Sequence, residues 1–226
     1  MHRSVRMILL LAGIGFLPAM PAVSGQGASG AGAGPESDGA LPKDVDRDSR
    51  SRLPLIGREE VNEQVRRAYD AAAASSPSGR PEGVAAIRLH RSGVDVRWDS
   101  ALGRRLTELA IITTAREHDQ PYEWSLHEME ALSVGLEPRI IDAVRHRRSL
   151  AGLGTKVGAI IQFGRELFGT HYVTAETYAR AKHVFGQRDL SDFVVGLMAP
   201  HAREATFLTA FDQHLPAGVK PQLPVP

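Results

Sequence analysis

Two consecutive helical patterns at residues 104–135 constrain the fold of this chain more than any other stretch. The first places residues at the spacing of one helix face, namely Leu106, Leu109, Ala110 and Thr113. The second is predicted to begin at Pro121, because a proline loses nothing in a first helical turn, and to end at Gly135, a typical C-cap residue. The turn at 117–120 is short, so the two helices are predicted to lie antiparallel and side by side.

The second helix carries a carboxylate and an imidazole on one mostly apolar face. Glu123 and His127 are four residues apart, so their side chains share a face with Trp124, Ala131 and Val134. A carboxylate and an imidazole aimed together into apolar surroundings are typical of general acid–base catalysis. Burial and a neighbouring carboxylate both raise the pKa of a glutamate, so such a pair is predicted to hold a proton near neutral pH.

Glu108, on the first helix, is the third polar residue of this region. A polar residue on the buried side of a helix must find a partner. The sequence leaves two arrangements open. Glu108 either pairs with Arg104 or Arg105 on its own helix surface, or turns inward towards His127.

The remaining chain adds helical patterns and no convincing sheet, so the predicted fold is all-α with seven or eight helices. Besides the central pair, whose first helix extends over 100–117, helices are predicted at 58–74, 82–91, 138–149, 155–168, 174–185 and 190–211. Pro200 is expected to kink or split the last of these. Residues 92–98 alternate like a short strand but are interpreted as a loop, because they have no obvious strand partner.

The first 24 residues resemble a secretory signal peptide, with a basic start, an apolar run and the small residues of the segment Ala22-Val23-Ser24. The apolar run is short for a membrane span, so cleavage is favoured over an uncleaved anchor. The predicted organisation is a signal peptide at 1–24, a flexible Gly- and Ser-rich linker at 25–50, one helical domain at 51–220 and a tail at 221–226. The mature protein is therefore expected to be exported, either to a periplasm or to the medium.

Charge and cysteine content exclude several functions. The precursor has 27 basic and 26 acidic residues, and the predicted signal peptide contains two arginines and no acidic residue, so the mature chain is close to neutral. Nothing therefore indicates a nucleic-acid partner or an acidic membrane surface, and no stable membrane insertion is expected after cleavage. The chain has no cysteine, which excludes disulfides and any thiol catalysis.

The central region resembles the carboxymuconolactone decarboxylase and alkylhydroperoxidase D-like superfamily. The peroxidase branch has the signature Glu-x11-Cys-x2-Cys-x3-His. Counted from Glu108, its cysteine positions fall on Gln120 and Glu123 and its histidine falls on His127. The Pro-x-Glu-x-x-x-His segment of the decarboxylase branch fits Pro121, Glu123 and His127. The resemblance extends over about residues 52–218.

This resemblance implies an alkylhydroperoxidase D-like helical bundle that assembles as a homotrimer or homohexamer. It also implies a cofactor-free lyase that acts on a small acidic lactone or enol-type molecule, with Glu108, Glu123 and His127 as catalytic residues. The thiol peroxidase reaction of the relatives needs cysteines that are missing here. The alternative is a non-catalytic oligomeric binding protein that keeps the family fold.

Predicted substrate contacts are Gln120, Tyr122, Trp124 and His146. The residue that would bind a substrate carboxylate stays open among Arg116, His146, Arg147 and His171. No metal site is predicted, since Glu123 and His127 give only two ligands on one face. The remaining histidines lie on different elements and are interpreted as surface or hydrogen-bonded residues: His90, His118, His183, His201 and His214.

Overall fold

A computed structural model describes residues 41–93, 95–216 and 218–223. The fold of these residues is entirely helical, as predicted, and includes eight α-helices of seven residues or more plus a single four-residue turn. The predicted signal peptide, residues 25–40 of the predicted linker and residues 224–226 of the predicted tail lie outside the described residues. Within the described ranges, no helix is long and apolar enough to span a membrane.

The helices follow one another along the chain with short connections. They are α1 Glu63–Ser75, α2 Gly83–Leu89, α3 Val96–Asp99, α4 Arg104–Glu117, α5 Pro121–Ser133, α6 Pro138–Arg145, α7 Thr155–Gly164, α8 Ala175–Ser191 and α9 Ala199–Ala210. Two π-helical segments extend this set: Arg165–Thr170 continues α7, and Asp192–Met198 joins α8 to α9.

The α4–α5 pair forms as predicted from its turn residues. The side chain of Gln120 caps α5 by accepting a hydrogen bond from the backbone N–H of Tyr122 at 2.8 Å, and Pro121 occupies the first helical turn. After the helix, Gly135 adopts a positive φ of 81°, and the N–H of Leu136 bonds to the carbonyl of Ala131 at 2.8 Å. This arrangement satisfies the last carbonyls of α5 and turns the chain towards α6.

Helix α4 lies at the centre of the domain. It packs against α5, α6, α7 and α9, and eleven consecutive residues from Leu106 to Arg116 are buried. The main core collects around it, with Trp124, Ile160, Phe193 and Leu197 among its largest buried side chains. A helix buried on all sides must satisfy every polar side chain inside the protein, and this requirement determines the surroundings of Glu108.

Two predicted breaks are found, each with a different geometry. Thr174 caps α8, and the helical backbone is interrupted at Gly186, which has a positive φ of 78°. The interruption expected at Pro200 takes the form of the preceding π-helical segment, after which Pro200 sits in the first turn of α9. A π turn is wider than an α turn, so it changes the direction in which the following side chains point.

The N-terminal part of the described chain packs on its own domain. Residues 41–50 form hydrogen-bonded turns, and Asp44 pairs with Arg52 at 2.7 Å. Arg52 also donates to the carbonyl of Val173 at 2.8 Å and lies over the ring of Tyr178. Arg52 therefore joins this N-terminal segment to α8 and to the residue just before its N-cap. The described residues of this range, 92–93 and 95–98, contain no strand, and residues 96–98 belong to the short turn α3.

Candidate active site

Glu108 and His127 form a direct buried pair between α4 and α5. Glu108 is completely buried, and its Oε2 lies 2.8 Å from Nδ1 of His127. Its other oxygen, Oε1, lies 3.1 Å from Nε of Arg97 and 3.1 Å from Nη2 of Arg104. Glu108 therefore combines the two arrangements that the sequence left open, since it pairs with Arg104 and also faces His127. Arg105 pairs with Glu137 instead.

The charge on Glu108 differs from the sequence-based expectation. Burial is the largest single influence and raises the pKa of Glu108, but the hydrogen bond from His127 and the positive charges of His127 and Arg97 together outweigh it. The pKa is lowered as a result, so this carboxylate is ionised near neutral pH and does not hold the expected proton.

The ionised carboxylate fixes the tautomer of His127. A carboxylate can only accept, so Nδ1 of His127 must carry the proton that is donated to Glu108. Nε2 of a neutral His127 is then left with a free lone pair. This nitrogen faces Oε1 of Glu123 across 3.6 Å, a gap that a substrate proton or a small ligand can bridge.

A second histidine, which the sequence did not single out, completes the site. Nδ1 of His201 on α9 lies 2.5 Å from Oε1 of Glu123, and the rings of His127 and His201 meet edge to face with centroids 5.0 Å apart. One ligand atom from each of Glu123, His127 and His201 lies within 4.8 Å of the others, so these three residues could hold a metal ion. We refer to them as the Glu–His–His trio.

One sequence signal does point to the burial of His201. It is four residues after Leu197 and four before Ala205, and all three are buried. Helical periodicity therefore indicates an inward-facing histidine. Its partner could not be read from the sequence, because Glu123 is 78 residues away.

The three predicted substrate contacts on or beside α5 have different surroundings. Trp124 is completely buried, and its indole N–H donates to Glu128 at 2.7 Å. Gln120 is buried and donates to the hydroxyl of Thr209 at 3.1 Å, besides capping α5. Tyr122 is half-buried in the first turn of α5. A role in substrate binding stays a prediction for each of them.

The candidate cationic residues lie at the other end of α4. Arg116 is eight residues after Glu108, about 12 Å along the helix, and its Nε donates to the carbonyl of Arg145 at 2.6 Å. His146 is exposed, 3.5 Å from Asp142, and Arg147 pairs with Glu117 at 3.2 Å. His171 is exposed in a left-handed backbone conformation. None of these contacts joins the four residues to the trio.

The trio itself lies just beneath the surface. Glu123, His127 and His201 are 4%, 6% and 8% exposed, and Glu204, one turn after His201, is half-exposed at the rim with its carboxylate 3.4 Å from Nδ1 of His201. A separate open cleft of about 500 Å³ lies at the start of α5 and the end of α9, and its lining includes Gln120 and Thr209. Because Gln120 lines this cleft, it remains a candidate contact for a ligand.

These features define a class of protein: an all-α bundle with a buried Glu–His pair on two antiparallel helices. Residues 82–165, which build this pair, match the model of the carboxymuconolactone decarboxylase family. The segment that carries the site is therefore similar to that family, and the absence of cysteine is consistent with a cysteine-free branch. His201 lies outside the matched segment. None of the curated proteins and none of the solved structures matches the chain significantly.

Proposed function

We propose that this protein is a carboxymuconolactone decarboxylase-like lyase that transfers protons on a small acidic lactone or enol-type substrate. The observation that carries the proposal is the Glu108–His127 pair. The buried carboxylate holds Nδ1–H of His127, which directs a basic Nε2 towards Glu123. A carboxylate that orients an imidazole and stabilises its protonated form is an efficient arrangement for general acid–base catalysis.

The residues have separate tasks in this mechanism. His127 accepts a proton at Nε2 from a carbon or oxygen atom of the substrate, and Glu108 stabilises the resulting imidazolium. In a decarboxylation, the bond to the carboxylate carbon breaks, carbon dioxide leaves, and the bonding electrons remain on the substrate as an enolate. The imidazolium then protonates the enolate carbon, and solvent restores the proton that the overall reaction consumes. Glu123, hydrogen-bonded to His201, exchanges protons with Nε2.

Two variants test the mechanism. His127→Ala should lower turnover of a responsive lactone, enol or β-keto acid by about two to four orders of magnitude, with helix content unchanged. Glu123→Gln should lose much of the same rate, because an amide keeps the shape but cannot exchange the proton. His183→Ala, which changes an exposed histidine on α8, is the matched control and should retain full activity. Equal rates in His127→Ala and the parent protein would rule out the mechanism.

A non-catalytic binding protein is the second candidate, and the closure of the site favours it. The trio is more than nine-tenths buried, which leaves little room for a substrate at Nε2 of His127. In that case the trio only stabilises the fold. His127→Ala would then lower the melting temperature, and a broad screen of lactones, β-keto acids and enols would reveal no turnover by the parent protein.

The proposal also includes export of the protein and its assembly into a homo-oligomer. Export is supported by the signal-like order of features at residues 1–24, and N-terminal sequencing of secreted protein should begin near Gly25. A protein that still begins at Met1 would contradict export. Assembly as a trimer or hexamer is supported by the exposed apolar side chains Leu126, Met129 and Leu132, which follow one another at three-residue intervals along α5. An exposed apolar stripe of this kind is typical of a protein–protein contact.

A further inference from the structure

The Glu–His–His trio places one buried carboxylate between two imidazole nitrogens. Oε1 of Glu123 faces Nδ1 of His201 at 2.5 Å and Nε2 of His127 at 3.6 Å. When His127 is neutral, its proton is on Nδ1, where Glu108 accepts it, and Nε2 is an acceptor. A carboxylate oxygen and an acceptor nitrogen repel each other unless a proton or a metal ion lies between them.

Glu123 also lacks the ordinary means of neutralising a buried carboxylate. Glu108 is paired with Arg97 and Arg104, whereas no lysine or arginine among the described residues forms an ion pair with Glu123. Its ionic partners are the two imidazoles alone. A buried charge is stabilised by pairing, and a metal ion held by both imidazoles would pair with Glu123 directly.

The surroundings of His127 match those of a metal-binding histidine. Such a histidine donates its second ring N–H to a carboxylate, which fixes the tautomer and raises the basicity of the free nitrogen. Glu108 has this position relative to His127, with Arg97 and Arg104 holding the carboxylate in place. Two imidazoles and one carboxylate form a ligand set suited to divalent ions such as Zn²⁺, Fe²⁺ or Co²⁺.

We infer that the Glu–His–His trio is a binding site for one divalent first-row transition-metal ion. The ligand atoms are Nε2 of His127, Nδ1 of His201 and one carboxylate oxygen of Glu123. Tetrahedral zinc, at about 2.0–2.2 Å from each ligand, separates its ligand atoms by roughly 3.4 Å. One ligand atom from each residue already lies within 4.8 Å of the others. Side-chain rotations that move these atoms by about 1 Å would bring them to the separations that zinc requires.

Metal binding shares its residues with the proposed function but does not depend on it. A metal ion on Nε2 of His127 removes the lone pair that would accept a substrate proton, so the metal-loaded protein is expected to be inactive in proton transfer. The two proposals can therefore fail separately. Metal-free turnover without metal binding overturns the metal site alone, and metal binding without turnover under any condition overturns the lyase alone.

The test uses the full-length protein after chelator treatment, titrated with Zn²⁺ or Co²⁺ against a chromophoric competitor. We expect one ion per chain, a Co²⁺ absorption spectrum that reports nitrogen and oxygen ligands, and a melting temperature that rises with metal. His201→Ala and Glu123→Gln should each weaken binding by about 100-fold or more. Glu108→Gln replaces the carboxylate that accepts the Nδ1–H of His127 and leaves the three ligands in place, so it should weaken metal binding by about 10- to 100-fold.

The matched control is His183→Ala, since His183 is an exposed histidine outside the trio. Its affinity and stoichiometry should equal those of the parent protein. The inference is overturned if the parent protein binds no ion at one per chain, or if His201→Ala binds as tightly as the parent, which would show that surface histidines hold the metal. Circular dichroism of each variant establishes that it is folded, and Glu123→Gln decides the result if His201→Ala is not.

Discussion

Replacing Glu108 by glutamine tests the role of a carboxylate that contributes to both the stability of the fold and the chemistry of the site. The side chain is completely buried, is hydrogen-bonded to His127 and Arg97, and forms an ion pair with Arg104 at 3.1 Å. Glutamine has nearly the same shape, so no cavity is created. It removes the negative charge and converts one of the two acceptor oxygens into an NH2 donor.

The arginines determine how the new amide is oriented. Arg97 and Arg104 are donors only, so the amide oxygen must stay on their side. The NH2 group then faces Nδ1 of His127, which has to become an acceptor, and the histidine proton moves to Nε2. The substitution therefore reverses the tautomer of His127 and removes the basic nitrogen that faces Glu123.

The loss of stability follows from the same contacts. A hydrogen bond to a charged group contributes about 1.5–3 kcal/mol, and breaking a buried ion pair costs about 3–5 kcal/mol. The side chains of Arg97 and Arg104 are 30% and 23% exposed, so water compensates them in part. We therefore expect Glu108→Gln to lower the free energy of unfolding by about 2–4 kcal/mol.

Two measurements check this prediction, and neither needs a known substrate. Urea unfolding gives the change in stability, and long-range ¹H–¹⁵N NMR of the imidazoles gives the tautomer of His127. Glu130→Gln is the matched control, because Glu130 also pairs with Arg104, at 3.2 Å, but is about half-exposed. Its cost should be at most about 1 kcal/mol, as for other surface pairs. A Glu108→Gln protein with unchanged stability and the proton still on Nδ1 would refute the reasoning.

Three further predictions concern packing, pH and assembly. Gly164→Ala should lower the free energy of unfolding, measured by urea denaturation, by about 1–3 kcal/mol, because its Cβ would lie 2.5 Å from Cγ2 of Thr113. The control is Gly158→Ala in the same helix, whose Cβ would meet no atom within 4 Å and which should stabilise the protein by up to about 1 kcal/mol. The pKa of Glu108 is lowered from 4.5 on folding, so its contribution to stability should be complete above that pH and should be lost as the pH falls through the folded-state pKa. Measuring the free energy of unfolding of the parent and Glu108→Gln proteins as a function of acid pH checks this, because only the parent should lose this contribution. Met129→Glu on the exposed stripe of α5 should reduce the oligomer size in light scattering, and a parent protein that is already monomeric at micromolar concentration would contradict the assembly proposal.

The central helix pair was predictable because its signals are local. Apolar spacing, Pro121 and Gly135 act within one or two turns of the chain, and they specify α4 and α5 with nearly the observed bounds. The shared face of Glu123 and His127 follows from their four-residue spacing. Helix ends were less predictable, as for the first helix, expected over 58–74 but observed at Glu63–Ser75 with Asn62 as its N-cap. There the cap residue, and not the apolar pattern, determines the start.

The charge of Glu108 was not predictable from its neighbours in sequence. Burial and a nearby carboxylate both argue for a raised pKa, and burial is indeed the largest single influence. The sign of the pKa shift is reversed by His127 together with Arg97, and Arg97 reaches Glu108 from the short turn α3, eleven residues away. That segment was interpreted only as a loop, so its cation could not be assigned to the site. A pKa direction depends on every charge that folding brings near, and these cannot be listed from one helix pair.

The contact between His201 and Glu123 could not be predicted from helical periodicity, because the two residues are 78 positions apart in the sequence. The chemistry of the site depends on this contact. The pattern around Leu197 and Ala205 shows that the side chain faces inward, but the angle of α9 relative to α5 is determined by the π-helical segment Asp192–Met198. A regular α-helix through this segment would turn the following residues to another side. Pro200 contributes to this geometry, since it cannot donate a hydrogen bond to the preceding turn. The irregular segment is therefore what brings a second imidazole to Glu123, and with it the third ligand that the matched family segment alone does not supply.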